Sequence, residues 1–186
     1  MSLMREVLDN VVEAFGMTSV PDRPDLFAGG VRLDVPLRCQ LDSYSCGAQS
    51  GYAVARALGS RVSYDRFRRS SKLTTDGCEP KHIIGALAKH GVSATTERRL
   101  SMERLRDCID QGLPVIIGVQ NPKADAGHWV VVYGYDQDAG TVFMGVNGLP
   151  WFNRREYSVR EFRKLWAPKG WGLVCSGRRR LRCRMK

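Results

Sequence analysis

The stretch Gln40-Leu-Asp-Ser-Tyr-Ser-Cys46-Gly-Ala-Gln-Ser-Gly-Tyr52 decides how this chain is read. Cys46 follows Gln40 by six residues and stands at the mouth of a helix, with Ala48, Gly51, Tyr52, Ala55, Leu58 and Gly59 on one face of the segment behind it. Small residues there suit a helix packed tightly in the centre of a domain. Far downstream, Gly127-His-Trp-Val-Val-Val-Tyr-Gly-Tyr-Asp136 puts His128 at the start of an apolar strand, and a second strand ends at Asn147-Gly148. A thiol, an imidazole and a carboxamide in this order are the parts of an activated cysteine nucleophile.

The chemistry sets the roles. A thiol attacks only as thiolate, so its pKa must fall. The positive end of a helix dipole at Cys46 and a proton-accepting His128 are two ways of lowering it. The imidazole needs a partner that holds its tautomer and orientation, a role that suits Asn147 or an aspartate. Attack on a carbonyl builds charge on oxygen, and the backbone N–H of Cys46 with the Gln40 side-chain amide are candidate donors to it. Asp136 is a poorer orienting group: it lies at the far end of the histidine's own strand, at about 3.3 Å per residue, and reads as a turn former.

Outside these segments the chain divides into helices first and strands second. Residues 3–16 carry apolar side chains at helical spacing, and a loop rich in proline and glycine runs from Thr18 to Pro36. Helices are expected from Cys46, over Tyr64–Ser71, from Pro80 to about His90, and from the cap Ser101 through Gln111, with Gly91 and Gly112 as stops. Strands are expected over Val92–Thr96, Val115–Gln120, His128–Tyr135 and Thr141–Val146, with Trp171–Cys175 the last. Ser158 and Glu161 form a capping box before one more short helix. Segregated helices and antiparallel strands make an α+β domain.

Gln40 to Gly47, Asp76-Gly77, Leu113-Pro-Val-Ile116, Gly127 to Asp136 and Val146-Asn-Gly148 resemble the papain-like double-glycine (bacteriocin leader) peptidases and their stand-alone relatives. The resemblance covers residues 36 to 176. It implies a papain-like fold with N-terminal helices on a C-terminal antiparallel sheet. It also implies Cys46 as nucleophile, His128 as base, Asn147 as orienting residue and Gln40 in the oxyanion hole. Bacteriocin-processing members carry aspartate where this chain has Asn147, which orients imidazole without adding charge. No transporter sequence follows, so a stand-alone member is expected. The domain reading is therefore an N-terminal helix and loop extension over 1–35, a peptidase domain over 36–176 and a basic tail over 177–186.

The expected activity is hydrolysis of a peptide or isopeptide bond through a Cys46 acyl-enzyme, with small residues such as glycine before the bond implied by the resemblance alone. A thiol-dependent acyl transferase or deamidase with the same triad is an alternative, and a non-catalytic peptide-binding module is another. The partner is a peptide or protein substrate, and no cofactor is called for.

Composition bounds the rest. The chain has 186 residues, 43% of them hydrophobic and 26% charged, which suits one folded domain. No apolar run reaches the roughly 18 residues of a membrane span, and the N-terminus does not resemble a secretory signal, so a cytoplasmic protein is expected. Six cysteines without an export signal or Cys-x-x-Cys pair read as reduced thiols, Cys108 among them as a buried helix residue. The three histidines lack zinc-ligand spacing, and no metal is expected. Arg178, Arg179, Arg180, Arg182, Arg184 and Lys186 supply six of the ten net positive charges. That tail reads as a solvated terminus that an acidic partner would suit; no aromatic residue interleaves it, so no specific nucleic-acid contact is expected.

The remaining candidates take structural readings. His82 and His90 look solvated on a surface helix. Trp151, Trp166 and Trp171 read as core packing, with Trp129 and Trp151 as candidates to flank the cleft. A regulatory disulfide between Cys39 and Cys46 is the less favoured reading of Cys39. Gly29-Gly30 lacks the apolar residues expected upstream of a leader site and reads as part of a flexible loop.

Overall fold

The computed structural model describes residues 30–38, 40–120, 127–146, 155–166, 170–179, 181 and 184–185. The helix expected over 3–16, most of the loop that follows it, and Gly29 lie outside these residues.

Along the chain run β1 (Val31–Arg32), α1 (Cys46–Ala57), α2 (Tyr64–Ser70), α3 (Pro80–Lys89), β2 (Val92–Glu97) and α4 (Met102–Asp110). Then come β3 (Val115–Gln120), β4 (Gly127–Asp136), β5 (Thr141–Val146), β6 (Arg155–Ser158), α5 (Val159–Leu165), β7 (Gly172–Gly177) and β8 (Arg184–Met185). The strands form one sheet in the order β2-β7-β3-β4-β1-β8, with β5 also paired to β4 and β6 to β5. Every pairing among them is antiparallel. This is the α+β architecture expected, helices first and antiparallel sheet second.

Local chemistry explains the helix ends. Ser63 accepts from the Arg66 N–H at 3.4 Å and Ser101 from Arg104 at 3.1 Å, each satisfying a donor the helix leaves open. The Ser158–Glu161 box closes both ways, as its sequence foretold. Gly91 and Gly112 stop α3 and α4 at φ +79° and +76°.

α1 owes its central place to its small residues. Ala48, Ala53 and Ala55 are wholly buried, as is Val54. A Cβ on Gly51 would stand 2.8 Å from the Phe67 ring and 3.3 Å from Ile83, so its absence lets α2 and α3 close on α1. Phe67 and Ile83 are themselves fully buried there, each contributing about 1.5–3 kcal/mol of apolar burial. β4 runs through the core with Val130, Val131, Val132 and Tyr133 all buried, so it is covered on both faces. α1 and α4 both pack on it.

Three strands escape the sequence pattern. β1 and β8 are two residues each, too short for periodicity, and they form by pairing: Val31 with Tyr135 and Met185, Arg32 with Gly134 and Arg184. β6 is charged and sits on the rim of the sheet against β5. β7 is consequently not the last strand. The basic segment expected to be a solvated terminus instead returns to the sheet through β8, and Leu181 joins the hydrophobic core. Gly30 likewise differs from the flexible-loop reading. It is buried, and a Cβ there would meet the Tyr135 carbonyl at 2.8 Å and Phe143 at 2.9 Å.

Among the described residues, no helix is long and apolar enough to cross a membrane. No group of three or more His, Cys, Asp or Glu side chains among them is placed to hold a metal ion.

Candidate active site

Cys46 is the first residue of α1 and is 6% exposed. His128 is the second residue of β4, half-buried, paired across the sheet with Val119, and its Nε2 is shielded from solvent. Gln40 lies in the loop before α1 and is 4% exposed. The expected orienting residue Asn147 and the thiol Cys39 lie outside the described residues, as does Trp151.

The structure brings the start of β4 onto the start of α1. The Trp129 backbone, next to His128 in the chain, bears on the Cys46 thiol and pulls its pKa down, against the larger effect of burial. Four residues on, the Ser50 hydroxyl donates to the Trp129 carbonyl at 3.3 Å. The Trp129 indole is fixed in turn: its Nε1–H donates to the Cys78 carbonyl at 3.2 Å, and its ring meets Trp171 edge-on at 5.2 Å. Gly47 makes this approach possible, because a Cβ there would lie 2.9 Å from Cys78 Cβ and 3.1 Å from Trp129 Cδ1. A glycine directly after the thiol therefore has a packing reason.

Asp42 organises the loop between Gln40 and Cys46. Its carboxylate accepts from the backbone N–H of Ser45 at 2.7 Å and of Tyr44 at 3.1 Å. The Gln40 side-chain amide donates to the Asp42 carbonyl at 2.6 Å, which sets the carboxamide's position. Burial works to raise the Asp42 pKa, but hydrogen bonds from Ser45, Tyr44 and Gln40 outweigh it and hold the carboxyl below its usual value. Asp42 is thus an anion close to the thiol. The sequence signal for it was available: an aspartate three residues before a helix cap is a familiar loop-bonding residue.

The thiol departs from the expectation of a lowered pKa. Burial pushes Cys46 up, backbone hydrogen bonds from Trp129, Gly47 and Cys46 itself pull it down, and the charge on Asp42 adds to the rise. The net direction is upward because removal from water outweighs the helix N-terminal donors.

Other candidates resolve as structural parts. Asp136 ends β4 and accepts from the Ala139 N–H at 2.9 Å, the turn role expected of it. His90, read as solvated, shares a 3.0 Å hydrogen bond with Ser70 and lies against the Phe67 ring. Trp166 is buried, and its Nε1–H donates to the Trp171 carbonyl at 3.3 Å. Cys46, Cys78, Cys108 and Cys175 are buried and none of them is in a disulfide, Cys108 lying within α4 as expected.

The sequence profile of the Peptidase C39 like family matches residues 32–170. No curated protein matches the chain. Solved structures do. The peptidase domain of Streptococcus ComA, a bi-functional ABC transporter involved in a quorum sensing pathway, is 25% identical with a TM-score of 0.65, covering 79% of this chain and 98% of that one. A double glycine motif protease from an AMS/PCAT transporter, in complex with leader peptide, is 20% identical with a TM-score of 0.65, covering 78% and 94%. The N-terminal peptidase C39 like domain of a toxin secretion ATP-binding protein from Vibrio parahaemolyticus is 14% identical, with a TM-score of 0.58 and coverage of 73% and 99%.

Proposed function

Because this chain belongs to the Peptidase C39 like family, whose fold is that of the papain-like cysteine peptidases, we propose that it hydrolyses a peptide bond through an acyl-enzyme on Cys46. Small residues such as glycine before the scissile bond fit the double-glycine peptidase among its structural neighbours. The observation that carries the reading is the 3.3 Å hydrogen bond from the Ser50 hydroxyl to the Trp129 carbonyl, with the Trp129 ring against Gly47, since together they seat the residue beside His128 against the first turn of α1.

In the proposed reaction His128 takes the Cys46 proton, and the sulfur bonds to the substrate carbonyl carbon. The oxyanion is met by the Cys46 backbone N–H and the Gln40 amide. Collapse breaks the C–N bond, and the leaving amine departs with the proton from His128. Water then gives His128 a proton and attacks the thioester; the C–S bond breaks, and the thiol recovers its proton. Asn147 orients the imidazole throughout. A buried thiol with a raised pKa fits this scheme when thiolate and imidazolium form together as a pair, since each charge then offsets the other's desolvation.

The test is direct. Wild-type protein and Cys46→Ala are incubated with a peptide containing a double-glycine leader junction, and products are read by mass spectrometry. Cleavage after the glycine pair by wild type alone is expected. Equal product from Cys46→Ala, or intact peptide with both proteins, contradicts the proposal.

A further inference from the structure

At the end of α1 remote from Cys46, a cleft of about 700 Å³ opens between the α1–α2 connection, the start of α2, the end of α3 and the end of β7. Cys46 is the first of the twelve residues of α1, a helix about 18 Å long at 1.5 Å per residue. The cleft is therefore separate from the candidate active site.

Its walls carry one sign of charge. Arg61, Arg66, Lys89 and Arg178 line it, all exposed, and no Asp or Glu among the described residues does. Among the described residues the ion pairs are Lys81–Glu79 and Arg104–Glu97, so none of the four cations is neutralised by one. Lys89 has a local reason to be here, since it stands in the last turn of α3, where a cation complements the helix dipole. That reason does not extend to Arg61, Arg66 or Arg178, which come from a connection, the first turn of another helix and the residue after a strand. Arg66 and Lys89 act together on His90, which also lines the cleft; after burial, their charges hold the imidazole below its ordinary pKa. Leu58 and Val62 also border the cleft but are buried, so the surface it offers is chiefly that of the cations.

We propose that this cleft binds an acidic peptide segment, its carboxylates paired with Arg61, Arg66, Lys89 and Arg178. A cleft of this volume lies within the roughly 300–1,000 Å³ typical of specific sites. Among the described residues no Phe, Tyr or Trp lines it, so they offer no stacking platform of the kind single-stranded nucleic acid uses. The exposed large apolar residue recorded among the described ones is Leu41, at the Cys46 end of the molecule, so no apolar anchor for a membrane stands beside the cleft. This inference does not depend on Cys46 being a nucleophile.

The experiment is fluorescence anisotropy of a labelled oligo-glutamate peptide against full-length protein carrying Cys46→Ala, at low and at physiological salt. Each exposed ion pair multiplies affinity roughly two- to five-fold, so Arg61→Glu with Arg66→Glu should weaken binding at least about tenfold. Arg68→Glu with Arg69→Glu makes the same charge change on α2 outside the cleft and should weaken it less than about threefold. Lys89→Ala with Arg178→Ala, which reverses no charge, should give an intermediate loss, with circular dichroism confirming that each variant is folded. Three results overturn the proposal: no binding at low salt, equal losses in the two charge-reversal pairs, or tighter binding of a single-stranded oligonucleotide of matched charge.

Discussion

The contact between α1 and β4 predicts a specific consequence of adding one methyl group. In Gly47→Ala the new Cβ would meet Cys78 Cβ at 2.9 Å, Ile83 Cδ1 at 3.0 Å and Trp129 Cδ1 at 3.1 Å. Ile83 offers a flexible end that can turn away. Cys78 Cβ cannot, and the Trp129 ring is held by its bond to the Cys78 carbonyl and by Trp171. Overpacking of this kind costs about 1–3 kcal/mol, offset by up to about 1 kcal/mol from replacing glycine in a helix. A net loss of about 1–2 kcal/mol should appear in urea unfolding. The larger effect should be chemical: strain relieved by moving Trp129 moves His128 with it, and a displacement of about 1 Å at a reacting pair costs on the order of 100-fold. Gly51→Ala is the comparison, because its Cβ would crowd the Phe67 ring at 2.8 Å on the side of α1 that packs α2. Both variants should be destabilised, and only Gly47→Ala should lose alkylation rate at Cys46 with iodoacetamide. If Gly47→Ala reacts as fast as wild type, or if Gly51→Ala loses as much, then the α1–β4 contact does not align the thiol.

Other perturbations test separate parts. Asp42→Asn keeps an oxygen acceptor while removing a charge that raises the Cys46 pKa; the pH–rate profile of Cys46 alkylation should move to lower pH, and an unchanged profile contradicts the assigned influence. Burial pushes Cys175 up to about 12 and holds Cys46, Cys78 and Cys108 above their ordinary value. A raised folded pKa makes stability complete below the unfolded pKa and removes it as pH climbs, so the urea midpoint should fall between about pH 9 and about pH 12. A midpoint that rises over that window would show the sign to be wrong. Ser158→Ala should cost about 0.5–2 kcal/mol through the lost cap on α5, measured by thermal unfolding, and a neutral result would mean the box contributes nothing. Deleting residues 181–186 removes β8 and the buried Leu181; a loss of about 2–5 kcal/mol is expected, whereas a merely solvated tail would leave stability unchanged.

Much of this molecule was legible because its signals are local. Ser63, Ser101 and Ser158 mark helix starts through bonds made within three residues. The long apolar run of β4 announces a strand buried on both faces. Gln40, Cys46 and His128 stood out as residue types whose chemistry fits together; the fold buries Gln40 and Cys46 and half-buries His128, and their shared catalytic role is a proposal. What sequence could not show depends on distant partners. β1 and β8 exist because residues more than 150 positions apart pair with each other. His90 looked solvated because nothing nearby in the chain reveals that Phe67 and Ser70 will reach it. The Cys46 pKa was expected to fall from the donors of its own helix and from His128; it rises because burial in the folded domain outweighs those donors. Asn147 remains a proposal on its residue type and place in the chain.

The central claim is that Cys46 is a nucleophile activated by His128. Wild-type and His128→Ala protein are pulsed with iodoacetamide near neutral pH, and labelling at all six cysteines is quantified by mass spectrometry. The account predicts that Cys46 is labelled fastest in wild type, despite its 6% exposure. It predicts that His128→Ala removes the preference while leaving the slow labelling of Cys78, Cys108 and Cys175 unchanged. Cys46 reacting no faster than the other buried thiols, or as fast without His128, would contradict it.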